Sequence, residues 1–141
     1  MPYKFYDYIP GRVIYMSVWG NYTHSENIAS NKESIAILDA AINPIISIVD
    51  FTLMDSFSKN LNVLSSSFNM FAHPNHHWQL VITDDRLTAF ISATVIQVAK
   101  RGNRPQNFAI VKTQSEALTR LKRIDPNLTD IPPLPPFEAI T

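Results

Sequence analysis

The chain predicts an α/β domain in the order β-β-α-β-α-β-α-β-α, a mostly parallel sheet with packed helices and an antiparallel hairpin at its N-terminus. Three observations predict it. The runs "IISIVDF" from Ile45 and "WQLVIT" from Trp78 are nearly continuously apolar, as strands covered on both faces require. Stretches with apolar residues at helical spacing alternate with these strands, and right-handed crossovers then lay the strands down in parallel. Two segments rich in aromatic and β-branched residues open the chain, joined by a Pro-Gly turn.

Taken in order, Tyr3 to Ile9 and Val13 to Trp19 form the hairpin around "IPGR". Thr23 and Glu26 match a capping box, in which the Thr oxygen takes one free amide and the Glu reaches back for another. The helix that starts there ends near Ile42, before Asn43-Pro44, and its polar middle "SNKES" predicts a solvated face. A buried strand follows, ending near Asp50. A helix then starts at Asp55-Ser56 with Phe57, Leu61, Leu64, Phe68 and Phe71 along one stripe.

"HPNHH" from His73 is a turn into the strand Trp78 to Thr83. Asp84-Asp85 cap an amphipathic helix whose inner face carries Leu87, Phe90, Ile91, Thr94, Val95 and Val98, and Lys100-Arg101-Gly102 close it. "FAIVK" from Phe108 is the last strand, and "TQSE" from Thr113 caps a final helix that stops at Asp125-Pro126. Residues 1–125 thus read as one domain and residues 126–141 as a proline-rich extended tail. Its "PPLPP" has the composition of a polyproline II ligand for an aromatic groove, but no Arg stands nearby to orient it, and a tail that hugs the surface or is disordered is the expected reading.

Composition narrows the function. At 141 residues the chain suits one compact domain. Its 12 Lys and Arg balance 12 Asp and Glu, so no overall field draws it to nucleic acid or anionic lipid. The basic groups "KRGNR" and "RLKR" fall at helix C-termini, where cations offset the dipole. Lack of cysteine removes disulfides, thiolate metal sites and cysteine nucleophiles. Neither a signal peptide nor a membrane-spanning run is legible, so the cytoplasm is the expected compartment and the sequons at Asn21 and Asn127 are chance matches.

The order of elements from Tyr3 to Asp125, together with "IVDFTLMDS", resembles the STAS domain, named for sulfate transporters and anti-sigma factor antagonists, and most of all its small sporulation anti-anti-sigma branch. The resemblance implies a non-enzymatic regulatory domain with a protein partner and no cofactor. In that family an Asp-Ser-Ser at a helix start carries a serine phosphorylated by a partner kinase, which governs binding of an anti-sigma factor. Asp55 and Ser56 match the first two positions. The third, the family's acceptor, is Phe57 here, so Ser56 and the displaced Ser58 are the candidate acceptors. The same Asp-Ser pair also reads as a plain helix cap.

Other chemistry is thinner. Asp50, Thr83, Asp84 and Lys112 end successive parallel strands, where such sheets bind ligands, and are similar to the acidic, hydroxyl and lysine positions of a response-regulator receiver with Asp50 as phosphoacceptor. Receivers, however, open with strand then helix and carry their acidic pair after the first strand. His73, His76 and His77 are metal-ligating types in a loose Pro-Asn turn with no Cys or nearby carboxylate to complete a set. No nucleophile elbow, phosphate-binding loop or dinucleotide fingerprint is present. Two readings follow: a protein-interaction domain acting around Ser56, and a carrier or sensor of a small apolar or anionic molecule. The aromatic hairpin is suited to core packing, to an apolar pocket or to a second subunit.

Overall fold

The structure, a computed structural model, describes residues 3–57, 73–99, 107–128 and 131–134, with the side chains of 56, 57 and 95–99 excepted. Its elements are β1 (Tyr3–Ile9), β2 (Val13–Tyr22), α1 (His24–Ala40), β3 (Ile45–Phe57), β4 (His76–Ile82), α2 (Arg86–Ala99), β5 (Phe108–Val111) and α3 (Gln114–Ile124). The strands form one sheet in the order β1-β2-β3-β4-β5. β1 is antiparallel to β2, and every later pair is parallel. This is the α/β architecture that the hydrophobic runs predict. Beyond Phe57, the helix expected from Asp55-Ser56 through Phe71 lies outside the described residues, as does the Lys100-Arg101-Gly102 stop.

Gly11 takes a positive φ of 73° in the hairpin turn, where a side chain would be strained. Arg12 N donates to Ile9 O at 2.9 Å to close that turn. From there β2 and β3 run side by side, from Val13 beside Ile46 to Tyr22 beside Phe57. Shifts between Ser17 and Trp19 and between Gly20 and Asn21 mark bulges that increase twist. β4 stops much earlier, with Ile82 beside Asp50. Among the described residues the last part of β3 therefore pairs with β2 alone and projects past the other strands.

That projection corrects the expected helix start. Asp55 and Ser56 are strand residues, and Ser56 lies beside Asn21. The reason is that β2 itself continues to Tyr22 and supplies ladder partners, while Phe51, Thr52 and Phe57 are good strand formers. A local preference for capping loses to available pairing.

Alternation divides the core into two clusters, one per face of the sheet. On one face Ile14, Val18, Val49 and Val81 meet Leu38 of α1 and Ile91 of α2. On the other Tyr15, Ile48, Leu80 and Ile82 meet Ala117 and Leu121 of α3. Leu128, Ile131 and Leu134, from the stretch read as a tail, join this second cluster.

The helices differ in what they bury. α3 presents Ala117 and Leu121, as an amphipathic helix should. In α2 the buried face is centred on Thr88 and Ile91, whereas Leu87 and Phe90 are turned out, Phe90 being 68% exposed. Leu87 and Phe90 thus depart from the inner face read from the sequence, Ile91 holds to it, and the side chains of Val95 and Val98 lie outside the described residues.

α1 departs further, because Asn27, Ser30, Asn31 and Ser34 are buried and Lys32 and Glu33 are exposed. The polar middle thus keeps one solvated face, as expected, and turns the other inward, where Asn27, Ser30 and Asn31 find partners. Tyr22 Oη and Ser30 Oγ are hydrogen-bonded. Asn27 Nδ2 lies 3.5 Å from Tyr22 Oη, and Asn31 Nδ2 donates to Asn27 Oδ1 at 3.2 Å. Ser30 Oγ donates to Asn27 O at 3.0 Å.

Burial raises the Tyr22 hydroxyl to about 12, with Ser30 and Asn27 partly offsetting it. The native protein therefore keeps a proton that the unfolded chain releases above pH 10, so stability present below that value is lost as pH rises toward 12. The unfolding free energy from urea titrations should fall across pH 10 to 12 by about 1.4 kcal/mol per pH unit for this group. Tyr22→Phe should flatten that slope and, by stranding its polar partners, cost about 1–2 kcal/mol at pH 7.

Candidate functional site

The most ordered polar centre is built around Asp50, in the middle of β3 and only 4% exposed. A carboxylate there must be fully hydrogen-bonded, since its desolvation is otherwise uncompensated. Tyr15 Oη donates to Oδ2 at 2.8 Å from β2, and Gln114 Nε2 donates to the same oxygen at 3.1 Å from the first residue of α3. Thr52 donates to Oδ1 through its amide at 3.0 Å and its hydroxyl at 2.6 Å. Gln114 Nε2 also reaches Tyr15 Oη, at 3.3 Å. Burial first, and the Asp50 charge second, raise the Tyr15 hydroxyl far above the usual tyrosine range. Tyr15 is consequently a fixed donor, not a base.

The receiver-like set is not assembled around this carboxylate. Asp50 lies beside Ile82, so its side chain shares the α3 face, while Thr83 is one residue further along and alternates to the other. The Thr83 hydroxyl accepts from Asp85 N at 3.2 Å, in the turn that starts α2. Asp85, rather than Asp84, is the working cap: its Oδ2 accepts from Thr88 N at 2.9 Å and from the Thr88 hydroxyl. Asp84 and Lys112 are exposed, and Lys112 N donates to Glu116 Oε2 at 3.3 Å. The chemistry legible at the strand ends is turn and cap chemistry.

The histidine turn is also structural. His73 Nε2 lies 2.7 Å from Asp39 Oδ1, while its Nδ1 accepts from Asn75 N at 3.0 Å. An accepting Nδ1 places the proton of the neutral ring on Nε2. Asn75 Nδ2 donates to Leu38 O and Ala41 O at 2.9 and 3.3 Å, and Asn75 O accepts from Ile45 N at 2.7 Å. His76 is buried, with Nε2 3.1 Å from Gln79 Oε1, and His77 is exposed. Among the described residues no three His, Cys, Asp or Glu side chains are grouped to hold a metal.

Sequence reasoning missed the Asn75 role. Its signal is that α1 ends in Asp39-Ala40-Ala41, with neither a glycine nor a basic residue to satisfy the last carbonyls, which therefore need a partner from elsewhere.

Asp55 and Ser56 lie on the projecting β2–β3 ribbon. Thr52, Leu53 and Asp55 are exposed there, while Phe51 and Met54 pack against the α1 cluster. Ser58 lies outside the described residues. A separate open groove of about 470 Å³ lies at the other end of the sheet, beside the free edge of β1, lined by Phe5, Asp7, Ile14, Ile37 and Ala40 among others. Ile42, just past α1, is 96% exposed.

The fold defines the class of protein here: a parallel sheet with an N-terminal antiparallel hairpin, α1 and α2 on one face and α3 on the other. No family model matches the chain, and no curated protein matches it. Among solved structures it is similar to an uncharacterised protein of the DUF3478 family from Shewanella loihica PV-4, described as having a SpoIIAA-like fold. The two are 15% identical with a TM-score of 0.53, over 77% of this chain and 83% of that one. The chain therefore has a SpoIIAA-like, STAS-like fold, as its order of elements predicts. Among the described residues no helix is long and apolar enough to cross a membrane.

Removing the charge at Asp50 leaves Tyr15, Thr52 and Gln114 donors without an adequate acceptor. Asp50→Asn should cost about 2–4 kcal/mol in denaturant unfolding, against about 0.5–1.5 kcal/mol for Gln114→Ala, which removes a single donor. Equal losses would show that the carboxylate is not the hub.

Proposed function

We propose that the chain is a non-enzymatic regulatory domain that binds a partner protein through the exposed end of the β2–β3 ribbon, around Leu53, Asp55 and Ser56. The observation that supports it most is the ribbon itself: an apolar side chain and an acidic one are presented on strands that project past the rest of the sheet of a STAS-like fold. Zero net charge and the absence of a catalytic motif in the sequence favour protein binding over nucleic-acid or membrane binding. In this reading the domain works in the cytoplasm without a cofactor.

Regulation by phosphate would act differently here than at a helix start. On a strand there is no fan of free amides to receive the group, so about −1.5 to −2 charges at Ser56 would add to Asp55 and change the field met by the partner. Ser56 is the acceptor this reading favours, with Ser58 the second candidate.

The test combines mass analysis with binding. The protein isolated from its own cells is analysed intact for a phosphate on Ser56 or Ser58, and tagged wild type, Leu53→Asp and Ser56→Asp are compared in capture of partners from the same cells. A partner retained by wild type and lost at least tenfold by Leu53→Asp is the expected result. Capture that is the same for all three proteins would remove the ribbon as the binding surface, and wild type equal to Ser56→Asp alone would remove only the charge switch.

The groove beside β1 supports a second reading, a carrier of a small apolar molecule, because its walls are largely apolar and open to solvent. Native mass spectrometry checks it: a carrier should show a compound that is lost on denaturation.

A further inference from the structure

The open groove beside β1 has two walls that are held in different ways. Phe5 and Ile14 stand on the hairpin, whose strands are tied by their own ladder. Ile37, Ala41 and Ile45 belong to the end of α1 and the start of β3. That second wall is fixed by one residue of the turn before β4, Asn75. Its Nδ2 donates to Leu38 O at 2.9 Å and to Ala41 O at 3.3 Å, and its backbone oxygen accepts from Ile45 N at 2.7 Å. Two groove-lining residues, Ala41 and Ile45, are thus bonded to Asn75 directly.

Asn75 is in turn held by a group that can change its charge. Its amide donates to His73 Nδ1 at 3.0 Å, and His73 Nε2 lies 2.7 Å from Asp39 Oδ1. The His73 side chain is 14% exposed and that of Asp39 66%, so solvent protons reach the pair. Asp39 is the charge that α1 sets against the ring, since the last turn of the helix has no basic residue. On the β4 side His76 N donates to His73 O at 3.0 Å, the His76 ring has its Nε2 3.1 Å from Gln79 Oε1, and His77 is exposed. A neutral His73 ring satisfies Asp39 and Asn75 together, with its proton on Nε2. A protonated ring is a donor at both nitrogens. Its Nε2–H still suits the Asp39 carboxylate, and more strongly, but its Nδ1–H faces the Asn75 N–H.

We propose that His73 is a proton-operated latch on the α1 wall of this groove: the neutral ring holds Asn75 and fixes the wall, and the protonated ring stays with Asp39, releases Asn75 and loosens its clamp on Leu38, Ala41 and Ile45. Imidazole takes up its second proton between about pH 8 and about pH 5, so the wall is fixed at the upper end of that range and loose at the lower. As regulation of a carrier, with an apolar molecule released as the pH falls, the latch rests on the second reading above; as a change in the wall it does not.

The test is an NMR titration of the full chain, wild type and His73→Gln, from about pH 8 to about pH 5. It reads the His73 ring, the Asn75 backbone and side-chain amides, and protection from hydrogen exchange at Ala41 and Ile45, corrected for the intrinsic effect of pH. Those two amides donate to Leu38 O and Asn75 O, so they report the clamp itself. In wild type the Asn75 signals should move with the His73 ring, and both protection factors should fall by about fivefold or more at the acid end. His73→Gln, whose side chain has no second proton to take, should hold them level, while His77→Gln should behave as wild type. Asp39→Asn leaves the turn intact and removes the charge that favours the imidazolium, so the ring and the two protection factors should titrate together at lower pH. Protection that stays level while His73 titrates, or that falls equally in His73→Gln, overturns the latch, as does a midpoint that Asp39→Asn leaves in place. The carrier reading is judged separately with the neutral apolar dye N-phenyl-1-naphthylamine: no binding at either end of the range, with protection falling as expected, removes the carrier and leaves the latch standing.

Discussion

A carboxylate buried in the middle of a parallel sheet sets the terms for everything around it. Asp50 cannot lose its water without donors, and the donors it recruits come from three separate parts of the chain: Tyr15, Thr52 and Gln114. Tyr15 ties β2 to β3 from the side-chain direction, at right angles to their backbone ladder. Gln114 fixes where α3 begins, and with it where Ala117 and Leu121 meet the sheet. The bonds from Thr52 fall just where β3 loses β4 as a neighbour. One desolvated charge thereby couples strand pairing, helix placement and the start of the projecting ribbon.

The two faces of the sheet solve burial in different ways. On the α3 face the solution is apolar, and the chain adds Leu128, Ile131 and Leu134 where α3 alone does not cover the hairpin. On the α1 face an apolar cluster that includes Leu38, Ile35 and Ile37 is joined by a buried polar set, Tyr22 with Ser30 and Asn27, and Asn31 with Asn27. Apolar contacts tolerate small shifts, whereas a buried polar set is directional and costly when incomplete. The polar set thus adds orientation to the apolar contacts of α1, and the helix's far end draws on the Asn75 side chain for its last carbonyls.

Much of this was legible in the sequence, and the exceptions have physical causes. The five strands, the capping box at Thr23 and Glu26, and the Thr113 cap follow from hydrophobic runs and cap chemistry, and the structure contains them. Failures occur where a local signal competes with a distant partner. Asp55-Ser56 carries a cap signal, yet pairing with Asn21 and Tyr22, more than thirty residues away, keeps it in a strand. "SNKES" does solvate one face through Lys32 and Glu33, but nothing nearby shows that its Ser30 will meet Tyr22 on the other. Asp50 was legible as a strand-end acid, but besides Thr52 its partners lie 35 and 64 residues away, and periodicity carries no information at that range.

The ribbon changes what a serine in this place can do. At a helix N-terminus a phosphate is drawn to free amides and the positive end of the dipole, so the local structure accommodates it and its effect is felt mainly by a partner. On paired strands the amides of alternate residues are committed to the ladder, and Asp55 sits immediately before Ser56. The strand position of Asp55 and Ser56 removes the cap geometry that the Asp-Ser pair suggests, so under the proposed reading the effect of added charge there depends on the electrostatics of the surface it meets.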